Sequence, residues 1–350
     1  YLTDERQLFF NRAVSGNYPP GSVFKVVTAL AALEEGVVDL STTVRDEGVL
    51  KIGDYQYANW YFTQYGRVEG DINLSRALIS SNDIFFYKTA EWLGPEKLAD
   101  YARLLGLGQP TGIELGSEAS GLVPDPAWKE EQFGERWFLG NTYHFGIGQG
   151  DLLVSPLQMA RVFQAIFNQG VICRPTLVAG TRECHDLAFN QENLEIINQA
   201  LLGVTQEGGT AFPLFDYNRS VANVLNQRLG ADTFNNMTAR EKIKAGMIAG
   251  KTGTSEFGTD NERGYRATHA WFSSVVGLNK QLILDHWQEL GMDKASPAQQ
   301  AWLTALANNQ LPQELVITVL VESDGETIYR EGSADAAPIV RDILTWMTGF

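Results

Sequence analysis

Apolar residues recur at helical spacing through SVFKVVTALAALEEG, residues 22–36, and Gly36 stands where a helix should end. The preceding Tyr18-Pro19-Pro20-Gly21 cannot enter a helix interior, which puts Ser22 at or near the helix N-terminus. The same period predicts helices over 72–80, 82–93, 95–105, 155–169 and 193–206. Residues 37–70, rich in Val, Tyr, Thr and Gly, read as irregular or hairpin structure. In the last third MIAGKTGTSE, ATHAWFSSVVGL and ELVITVLVE read as three strands, and a helix over 336–347 closes the chain. Between the second and third strands lies a polar helical segment, 279–313. It is far longer than the roughly two to five residues of a hairpin loop and reads as an insertion. Helices first, then sequential strands and a closing helix, predict an α+β fold rather than alternating βαβ units.

Composition removes several classes of function. The 350 residues carry 27 Lys+Arg against 42 Asp+Glu, a formal charge of −15, which disfavours nucleic acid or an anionic membrane surface as a partner. With 44% hydrophobic and 20% charged residues, wholesale disorder is excluded. Apolar runs such as Val26–Leu33 fall far short of a membrane span, and no signal peptide opens the chain. The first residue is Tyr1 rather than Met, so an excised piece is expected. Cys173 and Cys184 exclude a disulfide framework but leave a single bridge open. The four histidines show no metal-ligand spacing, so neither a metal nor a cofactor is expected.

Three short strings hold candidate chemistry. In Ser22-Val23-Phe24-Lys25 the i, i+3 spacing brings an amine toward a hydroxyl on one helix face. A neutral amine can take the proton that a serine must lose to become a nucleophile, and the helix N-terminus favours a developing oxyanion. A capping serine beside a surface lysine is the plainer alternative. Ser80-Ser81-Asn82 lies between two helical patterns, where Ser80 and Asn82 either project into a cleft or cap the next helix. Lys251-Thr252-Gly253-Thr254 sits in a predicted strand and suits an anionic, extended substrate, or else an edge strand protected by lysine. A phosphate loop is excluded because Ala245 stands where its first glycine belongs, and Gly146-x-Gly148-x-Gly150 lacks the third glycine of a dinucleotide fingerprint.

In order, S-x-x-K, S-x-N and K-T-G on a strand form the acyl-transfer set of the penicillin-recognising serine enzymes. The sequence resembles the transpeptidase domain of class B penicillin-binding proteins, most closely the elongation type (penicillin-binding protein 2-like). The resemblance runs through NRAVSGNYPPGSVFKVVTALAALEEG, SRALISSNDIFFYKTAEWLG, FGIGQGDLLVSPLQMARVFQAIFNQG, GGTA, AGKTGTSE, THAWF and SADAAPIVRDIL. Residues 212–246 and 279–313 do not match the family pattern. The resemblance implies one transpeptidase domain over 1–350, with a central antiparallel sheet flanked by helices and a mostly helical subdomain. A membrane anchor and pedestal would lie outside this chain, which would work on the extracytoplasmic side of a bacterial membrane.

It further implies that Ser22 attacks the carbonyl between the terminal D-alanines of a stem peptide. Lys25 would take the Ser22 proton, Ser80 would pass protons to the leaving amine, and Asn82 would bind the peptide. Lys251, Thr252, Gly253 and Thr254 would receive the anionic substrate end, with the Ser22 and Thr254 N–H groups as oxyanion hole. Implied partners are stem peptides, β-lactams, a cell-wall glycosyltransferase and the elongation machinery, with no nucleic acid. Rivals are a D,D-carboxypeptidase, a serine β-lactamase and a non-enzymatic β-lactam sensor; the E-x-x-L-N string of class A β-lactamases is missing. Trp271 and Phe272 suit core packing better than a cleft border, and Gln149 and Asp151 read as supporting residues. The apolar row Ile283, Trp287, Leu290, Trp302, Leu303 and Leu306 fits either a partner or, preferably, its own domain.

Overall fold

The computed structural model describes residues 7–259, 266–324 and 327–350. The Pro-Pro-Gly string delivers the chain into a 3-10 turn, Gly21–Phe24, which continues directly as the α-helix Lys25–Glu34. Gly36, at φ +65°, ends the helix where the spacing predicts. Every residue from Lys25 to Leu33 is buried, so this helix has no solvent face and forms the centre of the core. Asp83–Leu93, Pro95–Leu104 and Gln191–Val204 pack around it. The segment read as irregular or hairpin holds three short strands, β1 (Thr43–Asp46), β2 (Val49–Ile52) and β3 (Tyr55–Ala58), and leads into a fourth, β4 (Gly70–Asn73). β2 and β3 form a hairpin, and β1 pairs antiparallel with β4, bringing Asp46 opposite Gly70.

Because Ile72 is taken into β4, the next helix starts at Leu74, two residues later than its periodicity predicts, and ends at Ser80. Ser81 reverses the chain in a left-handed conformation, φ +60° and ψ 36°, and Asn82 caps the following helix. Further on, β5 (Val171–Cys173) and β6 (Cys184–Asp186) pair so that the two cysteines face each other, and a disulfide joins them.

The three strands of the last third are β7 (Ile248–Phe257), β8 (Ala267–Gly277) and β9 (Glu314–Val321), an antiparallel sheet in the order β7-β8-β9. Lys251 lies opposite Ser273 and Thr254 opposite Ala270. The closing helix, Ala337–Thr348, is entered through a π-helical turn, Gly332–Ala336. Gly332 abuts the backbone of Gly253 and Trp271 so closely that a Cβ there would collide with both.

Residues 279–313 contain two helices, Lys280–Leu290 and Pro297–Ala307. Ile283, Trp287, Leu303 and Leu306 are buried with Leu278, Ala295 and Met347 in a small cluster separate from the main core. Leu290 and Trp302 are half-buried against it, so the apolar row covers its own domain. Trp287 donates its indole N–H to Met347 O at 3.3 Å, and His286 stacks on Phe350. Leu303→Ala is expected to cost about 3 kcal/mol of unfolding free energy in urea denaturation, the usual loss for a buried leucine. A loss under about 1 kcal/mol would mean that this cluster contributes little to stability.

Candidate active site

An open cleft of about 1800 Å³ runs past the N-terminus of the central helix and along β7. Ser22, Ser81, Asp83, Thr210, Thr252, Gly253 and Thr254 line it. In the 3-10 turn Lys25 N–H bonds to Ser22 O, and side chains three apart in such a turn eclipse, which puts Ser22 and Lys25 on one side. Ser22 is half-exposed in the cleft, whereas Lys25 is wholly buried behind it. Two tight approaches set this geometry. A Cβ on Gly21 would strike Thr254 O, and one on Gly253 would lie 3.0 Å from Pro20 O and 3.1 Å from Val23 N. The turn carrying Ser22 therefore lies directly on β7. Trp271, fully buried rather than bordering the cleft, braces the turn from below by donating its indole N–H to Pro19 O at 3.0 Å.

The Lys25 amine is engaged by the second motif. It donates to Asp83 Oδ1 at 2.7 Å and to Ser81 O at 2.7 Å, and lies 3.4 Å from Ser81 Oγ. Lys251, also fully buried, reaches the same hydroxyl from β7, with Nζ 2.8 Å from Ser81 Oγ and 3.1 Å from Thr252 O. One serine hydroxyl thus sits between two buried amines. Asp83 is held on its other oxygen by Trp60 N–H at 2.9 Å. Thr252 and Thr210 hydroxyls are 2.6 Å apart, and Gln149 donates to Thr254 O at 3.3 Å. Burial holds the Lys25 amine below the usual lysine range, opposed by Asp83 and then Glu69. Burial, followed by repulsion from Lys25, pushes Lys251 well below it, with Asp83 opposing.

Two of the residues read from the second motif lie elsewhere. Ser80 Oγ is 2.7 Å from Glu69 Oε2 and 2.9 Å from Arg76 O, on the far side of the turn from the lysines. Asn82 is fully buried, and its amide is spent internally: Nδ2 donates to Asp46 Oδ2 and Glu69 Oε2, while Oδ1 accepts from Phe85 N–H as a helix cap. With both N–H donors committed and the oxygen capping a helix, the buried amide has no donor left for a ligand. The cause is a register difference of one residue. Ser80 ends a helix and points back onto its own last turn, while the left-handed Ser81 turns its hydroxyl to the lysines. The doubled serine is the signal: read from Ser81, the string is Ser81-Asn82-Asp83, which puts a carboxylate two residues on to partner a buried lysine. Thr210, inside GGTA, also went unassigned as a site residue; only the fold brings it to Thr252.

Residues 3–284 match the model of the penicillin binding protein transpeptidase domain. The chain belongs to that family. A peptidoglycan D,D-transpeptidase MrdA from Haemophilus influenzae is 30% identical over 350 residues, covering 99% of this chain and 46% of the relative. The Acinetobacter baumannii protein of the same name is 34% identical over 226 residues, 60% of this chain and 33% of the relative. Pseudomonas aeruginosa PBP2, solved in complex with WCK 5153, shares the transpeptidase fold with a TM-score of 0.66 at 27% identity, over 98% of this chain and 62% of that one. The chain thus spans about half or less of the curated relatives it matches. The antiparallel β7-β8-β9 sheet, flanked by helices with a large helical portion beside it, is the α+β arrangement of the penicillin-binding transpeptidases.

The buried lysines of this transpeptidase domain make stability depend on pH. Each has a folded-state pKa below the ordinary 10.5, so between the two values the unfolded chain binds more protons and stability rises with pH. Below the folded pKa the cost of burying the charge is present in full. Lys251→Met removes one such group. In melting curves from about pH 7 to about pH 10 the parent should gain stability relative to the variant as pH rises. Parallel curves would show that Lys251 titrates normally when folded.

Proposed function

We propose that this chain is the catalytic domain of a peptidoglycan D,D-transpeptidase that cross-links stem peptides through an acyl-enzyme on Ser22. The observation that carries the reading is the Ser81 hydroxyl, 2.8 Å from Lys251 and 3.4 Å from Lys25, in the cleft that Ser22 enters. Ser22 Oγ attacks the carbonyl of the penultimate D-alanine and gives its proton to Lys25 Nζ, which burial favours in the neutral form. This transfer needs Lys25 Nζ to reach Ser22 Oγ, a contact that forms when substrate fills the cleft, as catalytic hydrogen bonds often do. The N–H groups of Ser22 and Thr254, adjacent through the Gly21–Thr254 approach, receive the oxyanion. The C–N bond then breaks, and the leaving amine takes its proton through Ser81, the role expected of Ser80 by sequence. An acceptor amine attacks the resulting ester, loses a proton to the same relay, and frees Ser22.

Thr252, Thr254 and Thr210 offer hydroxyls to the terminal carboxylate, with Lys251 supplying positive charge behind them. The cleft exceeds the roughly 300–1,000 Å³ of a small-molecule pocket, which suits two peptide strands, one donating and one accepting. A β-lactam, as a mimic of the D-Ala-D-Ala end, acylates Ser22 and stays. Likeness to the MrdA relatives supports the elongation type, and likeness to a solved peptidoglycan synthase complex, at 26% identity and a TM-score of 0.69, supports work beside a glycan-polymerising partner. The Cys173–Cys184 disulfide supports work in an oxidising, extracytoplasmic compartment.

Intact-mass analysis after incubation with a β-lactam tests this directly. A long-lived adduct is expected on the parent and none on Ser22→Ala; rapid hydrolysis with no adduct would point to a β-lactamase, and no reaction would remove both readings. Ser81→Ala should slow acylation by about 100-fold or more, the usual worth of a positioned proton relay, while Ser80→Ala stays within about threefold. The reverse order would restore the register expected from sequence.

A further inference from the structure

Behind the cleft lies a buried pair of carboxylates that acyl transfer does not itself use. Asp46, closing β1, is 1% exposed, and the Glu69 side chain, just before β4, is 8% exposed. Between them stands the Asn82 amide, which donates to Asp46 Oδ2 at 2.8 Å and to Glu69 Oε2 at 3.0 Å. Asp46 Oδ2 also accepts from Asn59 Nδ2 at 2.9 Å and from Glu69 N–H at 3.2 Å, and its Oδ1 accepts from Gly48 N–H at 2.7 Å. Asn59 in turn accepts from Asp83 N–H at 3.1 Å through Oδ1, and the next residue, Trp60, holds the Asp83 carboxylate. Arg76 occupies the remaining Glu69 oxygen.

The pair therefore grips Asn82, which follows Ser81, and Asn59, which fixes Asp83. A serine in the left-handed region persists only where its neighbours over-determine it, and here the neighbour is an amide clamped at all three polar positions. We propose that Asp46 and Glu69 are positioning residues for acyl transfer: through Asn82 and Asn59 they hold Ser81 and Asp83 against Lys25. Two acceptors are required because Asn82 has two N–H donors to place. An alanine at position 46 strands the donors of Asn59 and Asn82 and lets the turn relax, whereas an asparagine can keep its carbonyl oxygen at the Oδ2 position for both amides, its NH2 group then facing Gly48 N–H in place of an acceptor.

The proposal rests on the acyl-transfer reading of Ser22, and the test separates the two. Stopped-flow acylation by a fluorescent β-lactam, run below the melting temperature, yields the acylation rate and the pre-acylation dissociation constant separately. Asp46→Ala should lose about tenfold or more in rate with the dissociation constant within about twofold, as expected when a reacting group is misplaced rather than a contact with ligand lost. Asp46→Asn should recover most of that rate. Leu303→Ala, in the distant helical cluster, serves as the control for destabilisation and should acylate at the parent rate. If Asp46→Ala does not fold, Glu69→Ala, which strands the other Asn82 donor, takes its place with the same expected loss at an unchanged dissociation constant. A parent rate in the alanine variant that folds overturns it, as does an equal loss of rate in Leu303→Ala. A parent that is never acylated overturns the reading beneath it.

Discussion

A lysine amine sealed in an apolar interior must either shed its proton or find an anion, and Lys25 is placed between these outcomes. It lies at the start of a helix with no solvent face, so the sequence that builds the core also buries the amine. Asp83 at 2.7 Å favours the charged form; burial, with the larger effect, favours the neutral one. A base needs that balance, since an amine far to either side neither accepts a proton at neutral pH nor gives it back. The rest of the site keeps the three polar atoms around Lys25 in place.

Backbone, rather than side-chain bulk, does most of that holding. The turn that carries Ser22 rests on β7 through Gly21 and Gly253, where a single added Cβ would force the two apart. Gly332 closes the opposite face of the same strand, so β7 is clasped between a 3-10 turn and a π-helical turn. Lys251 is carried on that strand, and its reach to Ser81 depends on the clasp. On the other wall, Asp46, Glu69, Asn59 and Asn82 form a buried polar lattice whose hydrogen bonds end on Asp83 and on the turn at Ser81. Such a lattice is worth having only when every member is satisfied, and here Asn82 is.

Most of the fold was legible because its elements obey their periods. The central helix stops at Gly36, the three late strands fall where the apolar runs put them, and the closing helix is displaced by one residue at each end. The first and third motifs lie on the helix entry and the strand where the periodicity puts them, and Ser22 and Thr252–Thr254 line one cleft. The second was misread at Ser80 because two serines in succession offer the same local pattern. Only the left-handed conformation of Ser81 decides which hydroxyl meets the lysines, and a dipeptide of like residues does not encode that choice. Thr210 and Asp46 were invisible for another reason: each reaches the site from a distant part of the chain, through contacts that appear only once the fold has formed. The pairing of Cys173 with Cys184 likewise follows from the β5–β6 register, not from their separation in sequence.

The central claim is that Asp83 holds up the proton affinity of Lys25 against burial. The acid limb of acylation efficiency against pH, compared between the parent and Asp83→Asn, measures it most directly. With the anion removed, burial acts unopposed at that contact, Lys25 loses its proton more readily, and the limb should move to lower pH. A limb that stays where it was, or moves to higher pH, would contradict the assignment of Lys25 as the base tuned by Asp83.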